Sequence, residues 1–205
     1  MKNTNRELWL NRVAKELEKL FKSVGAPALP AYRVTCGWPS RKALTRKNKV
    51  IGQCFDKSCS KDKTTEMIVS MFIDNEADAA QILAHEMIHA SVGTAAGHGK
   101  PFRDVAIAIG LTGKMTATVA GPEFTKWIKP VLKKIGKYPH ATVDAASATR
   151  KQGTRMIKVS CPEHPEFSVR MTRTWLDADT FGAPICPNCH STMIEAVAGA
   201  NRKAA

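Results

Sequence analysis

Long apolar runs are missing from this chain. None approaches the roughly 20 residues needed to cross a bilayer. The opening Met1-Lys2-Asn3-Thr4-Asn5-Arg6 lacks the apolar stretch of a secretory leader. A membrane protein and a secreted protein are both disfavoured, and a cytoplasmic location is expected. Thiols stay reduced in that compartment, so the six cysteines do not read as a disulfide framework. Acids are also scarce: 18 Asp and Glu face 31 Lys and Arg, a formal net charge of +13.

The chain has 205 residues, of which 43% are hydrophobic. That suffices for one medium domain with a proper core and a second, smaller one. The positive charge is concentrated in the first third. Its densest run, Arg41-Lys42-Ala43-Leu44-Thr45-Arg46-Lys47-Asn48-Lys49, holds five cations and no acid. Arg41, Lys42, Arg46, Lys47 and Lys49 are therefore candidate phosphate contacts for a nucleic acid.

His85-Glu86-Met87-Ile88-His89 spells HExxH, a zinc-hydrolase pattern. On a helix, residues four apart share a face, so His85 and His89 can offer two imidazole nitrogens to one Zn²⁺. Glu86 beside them can take a proton from an attacking water. The helix is predicted to start at Asn75, a good cap followed by Glu76 and Asp78 in the first turn. Neither Pro nor Gly interrupts it before Val92. A catalytic zinc keeps three protein ligands and one open position, and His98 is the best third. It follows Gly93-Thr94-Ala95-Ala96-Gly97 and precedes a helix opened by Pro101, so a short bendable loop can carry it back to the pair. The interval from His89 to His98 is too long for a metzincin. Asp104, the next acid, falls inside the following helix, which disfavours a carboxylate ligand. Tyr32 and Tyr138 are conceivable oxyanion helpers. Cys36, Cys54 and Cys59 make no zinc signature and no convincing cysteine nucleophile.

Around the motif the patterning predicts an α+β domain over residues 1–137. Leu10, Val13, Ala14, Leu17, Leu20 and Phe21 mark an amphipathic helix. Strand-like runs follow at Ala31–Cys36, Val50–Phe55 and Thr65–Ile73. The expected fold is a small antiparallel sheet packed with helices, one of them the zincin-type HExxH helix. A last helical stretch from Pro122 should break at Pro130. Residues 138–154 read as a linker and 198–205 as a tail.

Residues 155–197 read as a zinc ribbon. Cys161-Pro162-Glu163-His164 and Cys186-Pro187-Asn188-Cys189 are two knuckles separated by 21 residues. A segment of about forty residues cannot build an adequate core alone, so a structural zinc on Cys161, His164, Cys186 and Cys189 also answers a stability question. His190 competes for the fourth place. Arg170, Arg173 and Trp175 are further candidate nucleic-acid contacts, unless Trp175 belongs to the small core.

The run Leu83–Ala90 followed by Gly97-His98-Gly99-Lys100-Pro101-Phe102 resembles the SprT-like (Spartan-type) zinc metallopeptidase family, whose members show HExxH and then His-Gly-x-x-Phe. Gly110–Thr118 resembles members from bacteriophages and bacteria. The resemblance covers residues 5–135 and, more weakly, the ribbon. It implies a catalytic zinc on His85, His89 and His98, with Glu86 as general base. It also implies a substrate protein bound or crosslinked to DNA, with single-stranded DNA as a partner, in a nucleoid-associated setting or in the host cytoplasm for a phage-encoded chain. Two alternatives compete. One is a nucleic-acid-binding or transcription-associated zinc protein with a vestigial peptidase fold; the other is a zinc amidase acting on a non-peptide bond.

Overall fold

Asn5 opens the first helix: its side chain accepts the Leu8 N–H at 2.7 Å, satisfying one of the donors a helix start leaves free. Helix α1 (Arg6–Ser23) then buries Trp9, Leu10, Val13, Ala14, Leu17 and Phe21 along one face. The computed structural model describes residues 5–45, 47–144 and 156–195. The chain divides into two compact units, Met1–Ala148 and Thr149–Ala205.

In the first unit, strands β1 (Tyr32–Gly37), β2 (Gly52–Phe55) and β3 (Thr65–Ser70) form one sheet in the order β1-β3-β2. The sheet is mixed, which corrects the expectation of an antiparallel one. β2 runs antiparallel to β3, with Cys54 opposite Met67, whereas β1 runs parallel to it, with Val34 opposite Met67. A parallel pair needs a crossover of at least about a dozen residues. Residues 38–64 supply that path and carry β2 within it. Alternation puts Val34, Cys36, Met67 and Val69 in the core. β3 stops at Ser70, short of the expected Ile73.

Helix α2 (Glu76–Val92) packs across this sheet and α3 (Lys100–Ala108) packs on α2. A hairpin that the patterning did not reveal follows: β4 (Leu111–Lys114) pairs with β5 (Ala117–Ala120). Its entry needs Gly110, where φ is +85° and a Cβ would stand 2.6 Å from the Phe124 nitrogen. Helix α4 (Pro122–Ile135) runs through Pro130 rather than breaking there. Pro130 forfeits one backbone bond, but Phe124, Trp127, Ile128, Val131, Leu132 and Ile135 continue one apolar stripe across it into the core. Packing outweighs the local defect.

The segment read as a linker begins as part of this unit. Tyr138 is buried against Trp9, ring centroids 4.6 Å apart. His140 Nε2 lies 2.9 Å from the Met71 carbonyl, and Val143 N–H and Thr142 Oγ1 donate to the carbonyls of Met71 and Phe72. Of residues 138–154, those from 145 on lie outside the described residues, as do 196–205.

The second unit is a three-stranded antiparallel sheet, β7-β6-β8, from β6 (Ile157–Ser160), β7 (Ser168–Met171) and β8 (Ile194–Glu195). A single helical turn, α5 (Arg173–Leu176), follows β7. Among the described residues, its buried core is only Val159, Cys161, Cys186 and Met193. Trp175 is not in it: the ring is 50% exposed and packs on the exposed Phe181, centroids 4.7 Å apart.

Candidate metal centre

Helix α2 begins where its cap places it, with Asn75 Oδ1 accepting from Ala77 and Asp78 N–H at 2.9 and 3.1 Å. From there the helical period sets His85 and His89 on one face. Gly93, at φ +84°, ends the helix, and a 3-10 turn over Thr94–Ala96 leads to Gly97 at φ +51°. L-residues strain at such angles, so these two glycines make the reversal that returns His98 to the helix.

His98 Nε2 then lies 3.2 Å from both His85 Nε2 and His89 Nε2. The ring of Phe102, fully buried, backs all three imidazoles at centroid distances of 4.8, 4.6 and 4.9 Å. His85 Nδ1 is 2.8 Å from Thr118 Oγ1 on β5. With that nitrogen donating, the lone pair of His85 sits on Nε2 and faces the other two rings. β5 is itself tied to α2, since Gln81 Oε1 accepts the Ala120 N–H at 2.6 Å.

Burial pushes the His85 imidazole down to about 3, with His89 and His98 adding to it. Burial and then His98 bring His89 to about 4, and burial lowers the less enclosed His98 as well. The rings are thus neutral at physiological pH, the form that ligates. One shared Nε2 proton cannot satisfy three nitrogens that converge on one point; a cation can. A tetrahedral ion with bonds of about 2.0–2.1 Å sets its ligand nitrogens about 3.3–3.4 Å apart, close to the observed 3.2 Å. The residues fit a metal ion.

The three histidines line a cavity of about 760 Å³ that also contains Glu86. Burial alone raises the Glu86 carboxyl to about 8. Strand β2 passes directly over it: a Cβ on Gly52 would lie 2.3 Å from Glu86 Oε1 and 2.7 Å from Ile82 Cγ2. The neighbouring Cys54 thiol is pushed up to about 12 by burial, then by Glu86 and Asp56, which removes it as a nucleophile. Neither tyrosine lines the cavity. Tyr32 bonds to Glu18, and Tyr138 lies in the core beside Trp9, so the fold brings neither to the three histidines.

Of the described residues of the basic run, Lys49 is the one cation that lines the cavity, with Asn48 beside it. Its Nζ sits 3.7 Å from the centroid of the Phe72 ring. Arg41, Lys42 and Lys47 are exposed outside it, and Arg46 lies outside the described residues. The sequence reading missed Thr118, Gly52 and Lys114. Thr-Ala-Thr-Val alternation at 116–119 was the available sign of a strand that could carry Thr118. It also missed an exposed lysine stripe on α4, Lys126, Lys129 and Lys133, in a stretch with no acid between Glu123 and Asp144.

In the second unit, the sulfurs of Cys161, Cys186 and Cys189 all lie within 4.8 Å of one another, with Cys161 and Cys189 3.3 Å apart. Tetrahedral thiolates at about 2.3 Å from an ion stand about 3.8 Å apart, so this group also fits a metal. The His164 N–H donates to Cys161 Sγ at 3.3 Å, holding the first turn around the sulfur. Ser191, and then Cys161, bring the Cys189 thiol down to about 7. The His164 ring is not in the cluster. It takes the Asn188 amide at 2.9 Å and faces Glu166 at 3.8 Å. His190 is exposed.

Comparison with known protein families, curated proteins and solved structures finds no match.

Proposed function

We propose that the chain is a zinc-dependent endopeptidase of SprT-like type, acting on proteins near or bound to DNA. The observation that carries this reading is the convergence of His85, His89 and His98, with His98 Nε2 3.2 Å from the Nε2 of each of the other two, in the same open cavity as Glu86. A catalytic zinc on the three histidines and a structural zinc on Cys161, Cys186 and Cys189 are the cofactors; His164, whose ring lies outside that cluster, would have to leave Asn188 to serve as the fourth ligand. Thr118 orients His85, and Phe102 keeps water from the back of the rings. When bound, zinc acts as a Lewis acid toward a carbonyl and lowers the pKa of water. Glu86 takes a proton from the attacking water on its carboxylate and delivers it to the departing amide nitrogen. Burial raises the proton affinity of this carboxyl, which favours taking the water proton, and a cation on the histidines would offset part of that rise so that the group is ionised beforehand. β2 is an edge strand of its sheet and lines the cavity, so it offers a backbone for an extended peptide to pair with.

The vestigial reading has less support, because metal binding alone does not require a carboxylate beneath β2. Glu86→Gln is expected to retain zinc and to lower cleavage of casein and of DNA-bound protein by at least about 10²–10⁴-fold, measured with and without single-stranded DNA beside a metal analysis. Retained cleavage would remove Glu86 as the base.

A further inference from the structure

The walls of the histidine cavity carry an unbalanced charge. Glu86 is its one carboxylate among the described residues, only 5% exposed and beneath Gly52. Two lysines line the same cavity from different elements: Lys49 from the loop before β2, and Lys114 from the β4–β5 hairpin. Some surface lysines of this unit pair with acids, as Lys100 does with Asp104 and Lys15 with Glu18, while others, like these two, do not; what sets Lys49 and Lys114 apart is their place in the cavity lining. No carboxylate among the described residues forms an ion pair with Lys49 or Lys114.

Lys49 is also held in place. Its Nζ lies over the Phe72 ring at 3.7 Å, and Phe72 packs on Trp38 with centroids 4.8 Å apart. A cation fixed by a ring has given up part of the side-chain freedom that binding would otherwise cost. The rest of the lining near it, Val50, Ile51 and Gly52, offers no competing anion.

We propose that this cavity selects peptide segments with acidic side chains flanking the scissile bond, recognised by Lys49 and Lys114. The proposal rests on the peptidase reading above and names its substrate class. A peptide is favoured over a phosphate backbone as the ligand because edge strand β2 lines the same cavity, and its main chain pairs with a peptide. Arg41, Lys42 and Lys47, outside the cavity, remain available to phosphates.

The test uses the full chain loaded with zinc. Peptides of one backbone carry Asp, Ser or Lys on either side of the cleaved bond, and kcat/KM is read for each. The Asp peptides are expected to exceed the Lys peptides by about tenfold at low salt, shrinking as salt rises. Lys49→Glu/Lys114→Glu is expected to invert that ratio. Fluorescence anisotropy of the same peptides on zinc-loaded Glu86→Gln reads preference without turnover. Tighter Asp binding there, lost on charge reversal, supports the proposal even where the unsubstituted protein cleaves nothing, an outcome that overturns the peptidase reading alone. Equal binding of Asp and Lys peptides overturns the proposal. So does an Asp preference that survives charge reversal, or a reversal that weakens only nucleic-acid binding.

Discussion

At Gly52 the missing side chain is what lets Glu86 lie under β2. An added Cβ would meet the Glu86 carboxylate at 2.3 Å and Ile82 Cγ2 at 2.7 Å. The Glu86 carboxylate is a side-chain end that can swing aside, whereas Ile82 Cγ2 sits on a stiff β-branched carbon and asks β2 to give a little, so Gly52→Ala should fold at some cost in Tm and bind zinc, yet displace Glu86, the base under the proposed function. Since a shift of about 1 Å in a reacting group can cost about 10²-fold, cleavage should fall by about that factor with metal content unchanged. Loss of zinc together with activity would mean instead that β2 supports the histidines. Thr118 acts one bond further from the metal. Thr118→Val keeps the shape but removes the oxygen 2.8 Å from His85 Nδ1. Outer partners of this kind are worth about 10–100-fold in metal affinity, and competition against a chelator should show that loss. Thr118→Ser should restore it; failure to do so would reduce the contact to packing.

Elements differ in how openly their residues announce them. The α2 boundary was readable because Asn75 is a local cap, and the return of His98 was readable because Gly93 and Gly97 permit angles other residues avoid. The direction of β1 was not: parallel and antiparallel strands have the same alternation, and only the path of residues 38–64 distinguishes them. The β4–β5 hairpin was masked by short strands with little apolar content, and Thr118 with it. Pro130 misled for the opposite reason, since a strong local signal was overruled by the stripe from Phe124 to Ile135. That balance is measurable. Pro130→Ala restores an N–H to the helix interior and should stabilise the protein by about 1–3 kcal/mol, seen as a higher Tm. A lower Tm would show that the turn around Pro130 is shaped by the proline ring.

At the scale of the molecule, the two units depend on metal to different degrees. The first has a core built from four helices and a sheet, including Trp9, Phe102, Phe124 and Leu83. Among its described residues the second buries Val159, Cys161, Cys186 and Met193, little for a segment of this size to stand on alone. Chelation should therefore melt residues 156–195 while leaving the first unit folded, with amide hydrogen exchange separating the two. Uniform protection after chelation would show that the thiols pack without an ion. The docking of residues 138–144 has a consequence of another kind. Because Tyr138 covers Trp9, and His140 and Val143 bond to Met71, the end of the first unit closes over its beginning. A fragment cut at residue 137, where composition suggests the boundary, would leave Trp9 uncovered and the Met71 carbonyl without these partners. A fragment carried to residue 144 keeps the seal, and it is the shorter piece on which the chemistry can be studied apart from the cysteine-rich unit.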